Sequence, residues 1–246
     1  MKKMTRKATR LCLAVALALT AVACSDGGGL DVVGRTSVTA LETILKIIPD
    51  KVRADELNAG WSLSAPDDSV RFIWSEDYSR SPLHDVMLEF DAQPFLDAGL
   101  DPGKLPDNYA FYEGGPMGGM GSKMLMVGTK LGDDRLTYSG GSTALAAYEQ
   151  IVSKYREAVN YHSSLDHYGV KLGDGNLFEW AKDVKTNGYD QSVQDKDIVF
   201  VLNPEPLTAA GLDPDKVAGW AYAQVPIETN GKTEQVWKLL KPFDLQ

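Results

Sequence analysis

The chain of 246 residues carries 25 Lys+Arg against 34 Asp+Glu, a net charge of −9, and has two cysteines. This acidic balance repels phosphate backbones and anionic headgroups, which argues against a nucleic-acid-binding role. Two cysteines are too few for a Cys-based metal cage.

The first residues read as an export signal. Lys2, Lys3, Arg6, Lys7 and Arg10 occur without an acidic residue, and an apolar run of 13 residues, Leu11 to Ala23, follows. A spanning helix needs roughly 20 apolar residues, whereas a signal-peptide core is of this shorter length. The basic residues stay on the cytoplasmic side, so the chain after them is exported. The run ends in Leu19-Thr20-Ala21-Val22-Ala23-Cys24. This resembles the lipobox of bacterial lipoproteins, with Ala21 standing where Leu is preferred. The resemblance covers residues 1–24 only. It implies cleavage of a signal peptide, residues 1–23, a diacylglycerol group on the Cys24 thiol and acylation of the new amine. Ser25 after the cysteine implies outer-membrane sorting in a cell with two membranes. Acyl chains burying many methylenes at ~0.8 kcal/mol each make such an anchor effectively permanent. The alternative is an ordinary secretory signal cut after Ala21-Val22-Ala23, which leaves a free thiol.

Cleavage leaves 223 residues with 20 basic against 34 acidic side chains, a net charge of −14, and Cys24 as the sole cysteine. No internal disulfide is then possible, and the body must rely on its core. Residues 24–35, opening on Ser25-Asp26-Gly27-Gly28-Gly29, read as a flexible tether.

Beyond the tether, Val38, Leu41, Leu45 and Ile48 share one helical face, and the helix stops at Pro49. Strands follow at Trp61–Ser64, Val70–Trp74 and Val86–Phe90. Pro94 to Lys104 predicts a helical turn closed by Gly99 in a left-handed conformation, with Asp101-Pro102 starting a second turn. A hairpin of Tyr109–Glu113 with Met124–Leu131 spans a Gly-rich loop. The pattern then recurs. Leu145, Tyr148, Val152, Tyr155 and Val159 predict a helix capped by Ser142, followed by strands Val170–Leu172, Leu177–Trp180 and Ile198–Leu202. A closing hairpin, Trp220–Val225 with Gln235–Leu240, turns at Asn230-Gly231.

The recurrence extends to residues. Pro94 to Leu105 matches Pro206 to Val217 without a gap at a shift of 112, and Arg71 to Asp77 resembles Leu177 to Asp183 at a shift of 106. The expected fold is therefore α+β: two tandem similar units, residues 36–139 and 140–246, each a helix packed on a mostly antiparallel sheet, related by a pseudo-twofold. Whether they form one body or two domains is left open by the sequence.

Candidate sites are sparse. His84, His162 and His167 are the three histidines, and without a His-Glu-x-x-His pattern they read as surface or loop residues. Gly140-Gly141-Ser142 is better explained as helix initiation than as a nucleophile elbow. Gly114–Gly121 lacks the Gly-Lys-Ser/Thr ending of a phosphate loop. Met117 and Met120 in that loop are candidate Cu(I) ligands, because soft thioethers select Cu(I), whereas Met124 and Met126 on a strand are expected to face the core. The stretch from Asp183 to Asp197, with Asn187, Asp190 and Asp195, reads as a solvated acidic loop rather than a calcium loop. Trp74 and Trp180, at equivalent positions, either line a ligand or partner surface or plug the core. No cofactor is implied. The leading expectation is a non-enzymatic, lipid-anchored envelope protein that binds a partner or small ligand. The alternatives are a hydrolase with dispersed Asp/Glu residues and a Cu(I)-binding lipoprotein.

Overall fold

The computed structural model describes residues 30–55, 60–75, 85–113, 123–131, 143–185, 193–229 and 232–245. Helix α1 (Val32–Ile47) starts inside the stretch assigned to the tether, because the Asp31 carboxylate accepts from the Gly34 amide at 2.6 Å and caps it. Its buried stripe is Val38, Ala40, Leu41 and Ile44, with Leu45 and Ile48 at the margin. Strands β1 (Val52–Asp55), β2 (Gly60–Ser64), β3 (Val70–Ser75) and β4 (Val86–Asp91) follow, then the short helix α2 (Gln93–Asp97), β5 (Tyr109–Glu113) and β6 (Lys123–Thr129). All neighbours pair antiparallel in the order β1-β2-β3-β4-β6-β5.

The second half runs α3 (Ala144–Lys154), β7 (Val159–His162), β8 (His167–Lys171), β9 (Leu177–Ala181), β10 (Ile198–Leu202), α4 (Pro204–Ala209), β11 (Ala221–Thr229) and β12 (Lys232–Phe243). Its sheet is also antiparallel, ordered β7-β8-β9-β10-β12-β11. Strands β1 and β7 were not expected. Helix α3 is capped by Thr143 and ends at Lys154, so Val159, read as its last apolar position, opens β7 instead.

The inner faces of the two sheets share one core. Phe72 of β3 stacks on Phe178 of β9 with centroids 4.8 Å apart, and Trp220 packs edge-on against Phe90 and Phe95 of the first half. The helices cross over. Helix α1 packs on β8 and β9, whereas α3 packs on β1, β2 and β3, so each covers the other half's sheet and not its own as expected. The helices also touch each other: Tyr148 donates to Ser37 Oγ at 3.2 Å, and a Cβ at Gly34 would lie 2.6 Å from Val152. Crossing over seals the core from both halves with one helix pair.

A second seam joins the Pro-to-Lys turns. Gly99 and Gly211 adopt φ of 98° and 100°, the left-handed conformation the sequence required. Beyond them the backbones exchange hydrogen bonds, Asp101 N to Ala210 O and Asp213 N to Ala98 O, both at 2.9 Å.

Candidate functional site

The outer face of the second sheet carries a cavity of about 530 Å³, within the ~300–1,000 Å³ common for small-molecule sites. Its walls come from the unequal strand lengths. Strand β10 engages β12 only from Leu239 to Phe243, so the outer part of the β11–β12 hairpin pairs only with itself. That part folds back over the sheet until Pro226 of β11 meets β7, the opposite edge strand. His162 Nε2 there donates to the Pro226 carbonyl at 2.9 Å.

The wall is apolar where Leu177, Val201, Val225 and Ile227 line it, and Val199 and Leu240 pack beside Val201 and Val225. At one end lie Asn160, His162 and Glu179. Glu179 is only 3 % exposed; its Oε1 accepts from Asn160 Nδ2 at 3.3 Å and faces His162 Nδ1 at 3.6 Å. Burial pulls the His162 imidazolium down, but the Glu179 carboxylate and the Pro226 carbonyl outweigh it and leave the ring above the usual histidine range. At the other end, Lys238 meets the turn Gly173-Asp174-Gly175-Asn176. Lys238 is 4 % exposed and donates from Nζ to the Gly175 carbonyl at 3.0 Å. Burial holds its ammonium below the ordinary lysine range.

His167 stands directly across from His162 in the β7–β8 pairing. It is fully buried, neither ring nitrogen has a hydrogen-bond partner among the described residues, and its Nε2 lies 3.9 Å from Asp195 Oδ1. Burial therefore keeps it neutral, with its pKa lowered. The expectation that these histidines are surface or loop residues is corrected: both sit on strands of one hairpin. Tyr161-His162 and His167-Tyr168 read as mirror images about a four-residue loop, a pairing signal that a search for helical spacing passes over. Among the described residues, no group of three or more His, Cys, Asp or Glu is placed to hold a metal ion.

The outer face of the first sheet is built differently. Arg71 donates to Glu89 Oε1 from Nε at 2.9 Å and from Nη2 at 2.8 Å, and its Nη1 lies 3.4 Å from Asp55. Tyr112 donates to the other Glu89 oxygen. Burial and the Glu89 charge push the Tyr112 hydroxyl far above the usual phenol range. Here large side chains fill the position that is hollow on the second sheet.

Other expectations change as well. Trp74 and Trp180 are fully buried: Trp74 donates to the Ala144 carbonyl at 3.0 Å, and Trp180 meets Tyr148 edge-on. They are core plugs, one of the two readings the sequence left open. Met124 and Met126 lie half-buried on the outer face of β6, while Leu125 and Val127 face the core. Asp197 is buried, accepting from the Lys185 and Leu245 amides at 2.9 and 2.7 Å, so this end of the acidic stretch is a backbone anchor and not solvated. Cys24, His84, Met117, Met120, Ser142, Asn187, Asp190 and Asn230-Gly231 lie outside the described residues. Glu179, Lys238 and Asn160 escaped the sequence reading, because each is one polar residue in a strand and only the sheet brings them together.

Compared with protein-family models, curated proteins and solved structures, the chain matches none.

Proposed function

We propose that this chain is an exported lipoprotein, held to a membrane (the outer one, where there are two) through acyl groups on Cys24, whose body binds a small ligand in the pocket of its second sheet. A further part of the reading is that the two halves are tandem copies of one unit. The observation that carries the binding role is a set of register positions. Counted from the pairs Phe72–Leu88 and Phe178–Phe200, Asp55, Arg71, Glu89 and Tyr112 correspond to His162, Leu177, Val201 and Ala223. Arg71, Glu89 and Tyr112 thus have smaller apolar counterparts, of which Leu177 and Val201 line the pocket and Ala223 packs behind it. One sheet keeps a filled outer face; the other is hollowed.

Binding without chemistry suits this site better than hydrolysis. A general base needs a free nitrogen or oxygen within hydrogen-bond reach of the substrate proton. Both nitrogens of His162 already face protein acceptors, Glu179 and Pro226. Among the described residues no helix is long and apolar enough to cross a membrane.

The test is mass spectrometry of the native protein extracted from membranes, beside a Val201→Trp variant that fills the cavity. A small molecule should travel with the wild type and be lost from the variant. Equal retention, or none in either, removes the pocket reading. In the same fractionation, Cys24→Ala should leave the membrane in a high-salt wash; its continued retention removes the anchor.

A further inference from the structure

We propose that the pocket takes a small amphiphile ending in a carboxylate, with Lys238 as the residue that receives the charged end. This rests on the binding role proposed for the pocket and names the class of its ligand.

An ammonium carries three donors. Lys238 gives one to the Gly175 carbonyl, and no described carboxylate forms an ion pair with it. A cation that is 4 % exposed, with one neutral hydrogen-bond partner and the Glu205 carboxylate acting on it only from beyond ion-pair distance, is incompletely compensated, because burial of charge is costly unless the charge is paired. An anion supplied from outside completes the set. Its charge would also oppose the burial that depresses the lysine pKa, since a neighbouring anion favours the ammonium form.

The turn beneath the ammonium is shaped for it. Gly175 has φ of 76°, and a Cβ there would lie 2.8 Å from Nζ, so glycine leaves the room the ammonium occupies. From that point, Leu177, Val201, Val225 and Ile227 offer an apolar wall to a hydrocarbon body. The far end calls for no second charge of either sign. Glu179 there is already engaged by Asn160 and His162. One negative end and one apolar body therefore match the pocket, while a cationic amphiphile does not. The overall negative charge of the chain does not oppose this, because charges beyond ~8 Å are largely screened at physiological salt.

The experiment titrates the mature chain bearing Cys24→Ala, which has no acyl groups of its own, with three probes of equal length: octanoate, octan-1-ol and octylamine. Octanoate should bind at least about tenfold tighter than either other probe, the effect of one charge-assisted hydrogen bond. Lys238→Met should abolish that preference while binding of the alcohol stays within about threefold. Equal affinity of octanoate and the alcohol for the wild type overturns the proposal and leaves the pocket standing. So does a preference that survives in folded Lys238→Met. Should that variant fail to fold, the wild-type series decides alone. Failure of all three probes to bind removes the pocket reading itself, and the assignment of Lys238 with it.

Discussion

His162 and His167 face each other across one hairpin yet respond to protons in opposite senses. The folded-state pKa of His162 lies above the ordinary value of about 6.5, so its imidazolium adds stability that is complete below that value. This stability is lost as pH rises through the higher folded value. His167 is lowered, so unfolding takes up a proton as pH falls below about 6.5, and stability declines on the acid side. In the wild type the two effects flank the ordinary value, so together they favour a stability maximum near it. Replacing His162 by Gln should therefore cost more stability at about pH 6 than at about pH 8.5. Urea midpoints at both values check it, and an equal loss at both would show that no proton is linked to the His162 latch. None of this was legible residue by residue. Burial of His167 and the Glu179 partner of His162 come from neighbouring strands, and a polar residue in a strand does not announce which face covers it.

The Pro-to-Lys turns show what was legible at the level of an element. Their Gly at the helix end, the Leu folding back and the Asp-Pro start follow from local rules, and the structure has them: Leu100 N bonds Phe95 O and Leu212 N bonds Leu207 O, both at 3.0 Å. The reciprocal bonding of one turn to the other was not legible, since it depends on how the halves meet. A methyl at Gly211 meets two penalties, a positive φ and the Gly99 carbonyl at 3.0 Å. Gly211→Ala should destabilise by at least about 1 kcal/mol. Because the two glycines share one contact, Gly99→Ala combined with Gly211→Ala should deviate from additivity by about 0.5 kcal/mol or more. Chemical denaturation measures both, and strict additivity would mean that the turns act independently. Most strands were read correctly from their apolar runs. The two that were missed, β1 and β7, are four-residue edge strands whose Val-Arg-Ala-Asp and Val-Asn-Tyr-His sequences carry too little apolar surface to mark them. An amphipathic stripe likewise tells that α1 is buried on one face, not that the other half's sheet covers it.

Across the molecule, the exchanged helices make the halves depend on each other. Residues 30–131 alone would keep the first sheet but lose α3, which packs on three of its strands. That fragment should show no cooperative unfolding transition, whereas the full chain should unfold in one. Calorimetry of both tests this, and a fragment with its own sharp transition would show the helix exchange to be dispensable. Interdependence also accounts for how the outer faces differ. A shared core holds both sheets in place, so the second keeps its frame without a counterpart of the Arg71–Glu89 cluster.

The entry point of the chain has a mechanical consequence. Asp31 caps α1 and also pairs with Arg156 at 2.9 Å, directly before β7. A surface bridge of this kind holds by at most about 1 kcal/mol, but behind it α1 lies against α3 and on β8 and β9. Under the proposed anchoring at Cys24, a pull transmitted to Asp31 enters α1, which packs on the second sheet. The load then passes to β8 and β9, whose Lys171, Leu177 and Glu179 line the pocket, so the proposed anchor bears on the half with the proposed ligand site.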